Sequence, residues 1–338
     1  MIKDVLSKLA ERESLAFAET AQFIDAVADG QATEAQIAAF LIGLRAKGES
    51  VAEIAGCVAA LRRRALAVPH HQSLVFDCCG TGGDGTGTFN ISTAASLVVA
   101  ACGVPTAKHG NRAVSSSCGS ADLLEAAGAD IELSPDRAAQ LLDDLGYVFL
   151  FAPAYHPAAK RVAGVRRELG IRTVFNLIGP LLNPARATHQ MIGAATRPAA
   201  AMLAAIGEYL PELNVTTLHN SRGYDELLPL GVNHRYRWLD GALLDDEIEL
   251  PVNIHNGFPA TALRGGDKDD NVRLLRGILS GADSPLASAT DLNAAFGLVI
   301  AGHVENLAVG VELALDARRS GRALRLLDDY IHASREEE

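Results

Sequence analysis

From Met1 to about Val68 the apolar positions recur at helical spacing. Ile37, Phe40, Leu41 and Leu44 share one face behind Thr33-Glu34, which reads as an N-cap, and Val51, Ile54, Val58 and Leu61 repeat the pattern behind Glu49-Ser50. Pro69-His70-His71 punctuates, and the texture then changes. Short β-rich runs (Leu74–Phe76, Val104–Ala107, Tyr147–Phe151, Met191–Ala194 and Val215–Leu218) alternate with alanine-rich helical stretches. That alternation predicts a mainly parallel sheet covered on both faces. Residues 157–184 interrupt it with more helix, expected to pack back on the N-terminal helices, and helices return after Asp267. The expected fold is α/β: a small all-α N-terminal domain over residues 1–69 and a larger α/β domain over 70–338, with the active site in the cleft between them.

Composition narrows the function classes. The 338 residues carry a net charge of −11, which argues against a general nucleic-acid or membrane-surface role. Five cysteines without a C-x-x-C pair make zinc or a disulfide framework a poor fit and suit a reducing cytoplasm. Met1-Ile2-Lys3-Asp4 opens into a charged amphipathic helix rather than a signal-peptide core, and the most apolar stretch, Ala94 to Val104, is too short to span a bilayer. A cytoplasmic protein is expected.

The chemistry concentrates between Asp77 and Gly128. D-C-C-G-T-G-G-D-G-T-G-T-F-N-I-S-T and K-H-G-N-R-A-V-S-S-S-C-G-S-A-D-L-L-E-A-A-G each follow a short apolar run, so each reads as a loop leaving the C-terminal end of a strand. Gly80, Gly82, Gly83 and Gly85 remove side chains, so backbone N–H groups can close on an anion. A helix starting near Asn90 adds its positive end, while Lys108, His109 and Arg112 add donors suited to phosphate oxygens. Two such cradles in tandem suit a ligand with more than one phosphate.

Gly80 to Gly85 formally satisfies G-x-G-x-x-G. A dinucleotide fold, however, wants its helix to begin within the glycines and an acid at the end of the next strand, where Lys108 stands. No G-K-[ST] ends the loop, so a P-loop is excluded as well. Asp225-Glu226, in a loop after the strand ending near Leu218, offers the paired carboxylates with which magnesium is often held, although a solvated acidic turn would look alike. In the stretch from His156 to Pro184, Phe175-Asn176-Leu177-Ile178-Gly179-Pro180 is too apolar for a surface turn. Among Arg161, Arg166, Arg167 and Arg172 one inward arginine would suit a carboxylate. His189, His219 and His303 read as structural.

Together these segments closely resemble the anthranilate phosphoribosyltransferase family of tryptophan biosynthesis, over essentially the whole chain: G-T-G-G-D-G, N-I-S-T-A-A, A-K-H-G-N-R, G-S-A-D-L-L-E, F-A-P, R-R-E-L-G-I-R-T, F-N-L-I-G-P-L-L-N-P, D-E and L-R-G-G-D. The resemblance implies transfer of a 5-phosphoribosyl group from phosphoribosyl pyrophosphate to the amine of anthranilate, with Mg2+ and a homodimer joined through the helical domain. By position it implies phosphoribosyl-pyrophosphate contacts at Gly80, Gly83, Asp84, Thr88, Asn90, Ile91, Ser92 and Thr93. It implies more at Lys108, His109, Gly110, Asn111, Arg112, Ala113, Val114, Ser115, Ser116 and Ser120. Gly80, Asn111 and Arg166 match the anthranilate positions, and Ser92, Asp225 and Glu226 the metal ligands. Ser117, Ala159, Arg161, Asn220 and Leu228 depart from the family pattern, Asn220 and Leu228 beside the metal loop.

An aromatic amine already carries a free lone pair, so no side chain is assigned as a catalytic base; positioning and electrostatics should carry the rate. Two rival readings fit parts of the pattern. A pyrimidine nucleoside phosphorylase would need an inorganic-phosphate site and no acidic metal pair. A non-catalytic nucleic-acid-binding paralogue would show degraded loops and a basic surface.

Overall fold

The computed structural model describes residues 1–83, 85–113, 117–251, 254 and 258–336. Four helices open the chain: α1 (Ile2–Ala10), α2 (Phe17–Ala28), α3 (Glu34–Lys47) and α4 (Val51–Arg64). Thr33 and Ser50 cap α3 and α4 as expected, each accepting the N–H of the third helical residue while Gln36 or Glu53 reaches back to the cap.

The sheet follows. Its strands are β1 (Phe76–Gly80), β2 (Thr106–Gly110), β3 (Tyr147–Phe151), β4 (His189–Gly193), β5 (Asn214–Asn220), β6 (Asn233–Leu239) and β7 (Ala242–Glu247), in spatial order β3-β2-β1-β4-β5-β6-β7. The first five run parallel, and β6 and β7 extend the sheet antiparallel. Between strands lie α5 (Ile91–Ala101), α6 (Ser120–Ala127), α7 (Pro135–Leu145), α8 (Ala152–Tyr155), α9 (Pro157–Leu169), α10 (Phe175–Ile178) and α11 (Arg197–Ala205). The chain closes with α12 (Lys268–Leu279), α13 (Pro285–Ile300), α14 (Leu307–Arg319) and α15 (Arg322–Ser334).

Successive residues of a strand face opposite sides of a sheet, and β4 shows the consequence. Met191 joins a core made with α5, α13 and α15, whereas Ile192 joins a core made with α2, α3, α4 and α11. Val162, Val165, Phe175, Ile178 and Leu181 from residues 157–184 enter that second core, so the inserted helices lie on the N-terminal bundle.

Three local features depart from, or go beyond, the pattern of apolar runs. β1 and β2 begin and end later than their apolar runs suggest, β1 running on through Asp77-Cys78-Cys79-Gly80 and β2 through Lys108, His109 and Gly110, whereas β3 keeps the expected bounds. These polar residues stay extended because β1 pairs along its whole length with β4, and β2 with β3. The β6–β7 hairpin adds two strands beyond the expected runs; its outer strand reads A-L-L-D-D-E and is tied back by ion pairs, Arg197 to Asp245 and Arg235 to Asp246. Asn90 precedes α5, but its side chain makes no capping bond.

Candidate active site

The glycine segment leaves β1 at Gly80, directly beside Gly193 at the end of β4. Gly82, Gly83, Gly85 and Gly87 all adopt positive φ, between +64° and +72°, a region that L side chains avoid. The Thr81 N–H donates to the Gly193 carbonyl (2.8 Å) and the Gly82 N–H to Asp225 Oδ2 (3.0 Å). The far limb is pinned by a segment with no predicted role. Thr88 bridges Arg264, the Phe89 N–H donates to the Leu263 carbonyl, and the Gly265 N–H donates to the Gly87 carbonyl. Asn90 cross-links two segments: its amide donates to the Cys118 carbonyl (3.1 Å) and its Oδ1 accepts from Asn271 (3.4 Å).

Asp225 and Glu226 are brought to this loop from the β5–β6 connection. Both are buried, at 9% and 8% exposure, and Glu226 Oε1 accepts the Ser92 N–H at the start of α5 (3.1 Å). A loop thus brings neighbouring carboxylates to two limbs of one segment, Asp225 to Gly82 and Glu226 to Ser92. Side chains at Gly80 or Gly193 would overlap Asp225, so both glycines are needed for the loop to sit this close. The unusual Asn220 ties the base of the loop. Its amide donates to the Leu230 carbonyl (2.6 Å) and to Asn233 Oδ1 (2.8 Å), and its Oδ1 accepts the Arg222 N–H (3.0 Å). Leu228 is held by Asn233 through both its N–H and its carbonyl. Neither departure disorders the acidic loop.

The Asp225 and Glu226 carboxylates offer hard-oxygen donors, one on the glycine loop and one on the start of α5. Among the described residues no three His, Cys, Asp or Glu gather, so nothing here resembles a closed transition-metal cage. The set fits magnesium, which usually keeps waters and takes phosphate oxygens besides one or two carboxylates.

The second loop begins at Gly110, because Lys108 and His109 lie inside β2 at 2% and 4% exposure. The Lys108 ammonium donates to the His109 carbonyl (3.2 Å). Arg112 is engaged by Glu125 through both terminal nitrogens (2.6 and 2.8 Å) and lies over the Phe151 ring. Asp122 is the organiser of this segment, accepting the Ala113 and Gly119 N–H groups (2.9 and 3.0 Å) and pairing with Lys268. Burial pushes its carboxyl upward, but these donors outweigh that and bring it down to about 2. Asn111 Oδ1 accepts the Arg112 N–H, and the Asn111 carbonyl accepts from Ser120 Oγ and the Ala121 N–H, which closes the loop onto α6. Asp84, Val114, Ser115 and Ser116 lie outside the described residues.

The inserted helices supply the opposite wall and separate the four arginines. Arg161 and Arg167 are exposed. Arg166 is half-buried, stacked 5.4 Å over the Phe175 ring with one terminal nitrogen 3.4 Å from Asn176 Oδ1, and its buried Nε makes no hydrogen bond. Arg172, which follows α9 rather than lying on a helix, donates to the Gly83 carbonyl (2.9 Å). This clasp between wall and glycine loop had no signal beyond the arginine itself.

His109 and His156 meet edge-on, 5.4 Å between ring centroids. Burial drives both below the usual imidazole range, His156 to about 4, so both rings are neutral at pH 7. Neither is poised to titrate during turnover near neutrality.

Comparisons with known proteins decide the family. The glycosyl transferase family, a/b domain, matches residues 72–324, and the helical bundle domain of the same family matches residues 3–65. A Chloroflexus aggregans protein named anthranilate phosphoribosyltransferase is 46% identical over 338 residues, with 99% of each chain covered. The chain belongs to the anthranilate phosphoribosyltransferase family. Another anthranilate phosphoribosyltransferase, from Moorella thermoacetica, is 44% identical with 98% of each chain covered. The crystal structure of the Thermus thermophilus anthranilate phosphoribosyltransferase superposes with a TM-score of 0.91 at 40% identity, covering 98% of this chain and 100% of that one. The anthranilate phosphoribosyltransferase of Saccharomyces cerevisiae, solved in complex with PRPP and Mg, gives 0.88 at 25% identity, covering 98% and 97%. These likenesses bear out the helical-plus-α/β architecture and favour neither rival reading.

Proposed function

We propose that this protein transfers the 5-phosphoribosyl group of phosphoribosyl pyrophosphate to the amine of anthranilate, releasing pyrophosphate, in tryptophan biosynthesis. The observation that carries the reading is the placement of a buried Asp225-Glu226 pair on the N–H groups of Gly82 and Ser92, between a glycine loop and a helix start. The phosphoribosyl-pyrophosphate contacts are assigned to Gly80, Gly83 and Thr88, to Asn90 through Thr93, to Lys108 through Ala113, and to Ser120.

The amine lone pair attacks the anomeric carbon as its bond to the pyrophosphate oxygen breaks, and that electron pair departs with pyrophosphate. The new nitrogen then sheds one proton to solvent. Ser92, Asp225 and Glu226 would hold magnesium, which when bound neutralises charge on the leaving group. The positive loop backbone and the α5 N-terminus stabilise the departing oxygens, and the neutral histidines leave proton transfer to water.

Arg166 is assigned to the anthranilate carboxylate, and Gly80 and Asn111 to the rest of the anthranilate site. A charge-assisted bond is worth roughly 1.5–3 kcal/mol, so Arg166→Ala should raise the Michaelis constant for anthranilate roughly ten- to a hundred-fold. Turnover should fall less, because the contact is remote from the breaking bond. Loss of anthranilate fluorescence in the presence of phosphoribosyl pyrophosphate and magnesium measures both. Absence of any such loss in the wild type would sink the functional reading. A wild-type Michaelis constant in Arg166→Ala, with the defect appearing in Arg167→Ala or Arg172→Ala, would move the carboxylate site.

The bundle of residues 1–69 and the helices of 157–184 are assigned to one domain, which shares the second core, and 70–338 otherwise to the other. A homodimer through the bundle is supported by a groove between α1 and α3 lined by Leu6, Leu9, Ala39, Ile42 and Gly43, where Ile42 is 38% exposed. Sedimentation should give twice 35.5 kDa for the wild type and a monomer for Ile42→Glu; a monomeric wild type refutes the dimer. A cytoplasmic location is supported by five free cysteines, and recovery from an oxidising compartment would contradict it.

A further inference from the structure

The two strands that carry the phosphate loops are neighbours, yet they barely pair. β1 matches β4 over five residues and β2 matches β3 over five, whereas β1 and β2 share only Phe76 opposite Thr106. Continuing a parallel ladder from that register would use the Ala107 carbonyl and the His109 N–H, both against Cys78. Side chains have taken those two groups. Asn183 Nδ2 donates to the Ala107 carbonyl (2.8 Å), and Asp77 Oδ1 accepts the His109 N–H (3.1 Å). Asp77 and Asn183 are buried at 0% and 1% exposure, and Gln190 on β4 reaches Asp77 Oδ2 (3.4 Å).

A buried carboxylate inside a sheet is costly, and a backbone ladder would have satisfied the same groups without it. What the substitution changes is spacing. Beyond Phe76 and Thr106 the strands are held apart by side chains, and their ends carry the glycine loop and the Gly110–Ala113 loop. We propose that Asp77 and Asn183 are positioning residues that set the separation of the two phosphate-binding loops. They thereby fit the cleft to a ligand carrying phosphates at both ends of a sugar. The inference rests on the functional reading above.

Asn183→Asp tests it with little change of shape. The Oδ1 that accepts the Ala185 N–H survives (2.9 Å), but an oxygen replaces the donor to Ala107 and faces the Asp77 carboxylate. Calorimetry with phosphoribosyl pyrophosphate and magnesium, well below each variant's melting point, should show affinity reduced roughly ten-fold or more. Asp77→Leu should behave likewise, while Asp77→Asn, which keeps an acceptor for the His109 N–H, should recover most of the affinity. Near-normal affinity in folded Asn183→Asp would overturn the inference, as would Asp77→Asn failing as badly as Asp77→Leu. Should Asp77→Leu not fold, Asn183→Asp decides alone. A wild type that does not bind phosphoribosyl pyrophosphate would fail the functional reading instead.

Discussion

Alanine at both Asp225 and Glu226 is expected to reduce turnover by roughly 10³-fold or more at ordinary magnesium, on the scale of losing one preorganised electrostatic contact or more. Two effects combine. The hard-oxygen donors disappear, so charge on departing pyrophosphate is left to N–H groups alone. The Gly82 and Ser92 N–H groups also lose the acceptors that orient them. The variants separate these effects. Asp225→Asn with Glu226→Gln keeps an acceptor for each N–H while removing both charges, so it should restore loop order but little activity. Raising magnesium should recover part of the rate in single variants and none in the double alanine. Steady-state rates across a magnesium titration, with circular dichroism as a check on the fold, measure this. Undiminished turnover in the double alanine variant would remove the metal assignment.

The residues most legible in the sequence were those whose chemistry is local. Threonine and serine before a helical run cap it wherever the chain goes, so Thr33 and Ser50 read correctly. Glycines at positive φ declare a backbone that cannot accept side chains, so the loop after β1 was visible too. The strand ends were less legible. Asp77, Lys108 and His109 look like loop residues by propensity, and only pairing with β4 and β3 keeps them extended and buried. The same limit hid Arg172, Asn183 and Gly193, whose roles depend on what another segment places against them. Arg112 shows the same limit: its charge is legible as a phosphate donor, but its ion pair with Glu125 on α6 is not. Family resemblance supplied the assignment of roles that neither spacing nor periodicity could give.

Gly83→Val is the second large effect expected, and Gly85→Val is its internal control. Both glycines sit at φ +72°, where a β-branched side chain is strained, by roughly 1–2 kcal/mol on the left-handed backbone scale. Their surroundings differ. A Cβ at Gly83 would overlap the Arg172 guanidinium that clasps the loop, whereas one at Gly85 meets nothing within 4 Å. Strain alone therefore predicts equal damage in the two variants, and the cradle predicts unequal damage. Gly83→Val should unseat Arg172 and push the loop from its anion-binding shape, lowering phosphoribosyl-pyrophosphate affinity on the order of 100-fold, equivalent to about 2.7 kcal/mol. Gly85→Val should lose much less, and melting temperatures should fall by similar amounts in both. Arg172→Ala should reproduce part of the Gly83→Val defect without the backbone strain. Calorimetric titration with phosphoribosyl pyrophosphate and magnesium resolves the three variants. Normal binding by Gly83→Val would contradict the cradle. Equal losses in Gly83→Val and Gly85→Val, with Arg172→Ala unaffected, would leave backbone strain as the whole explanation.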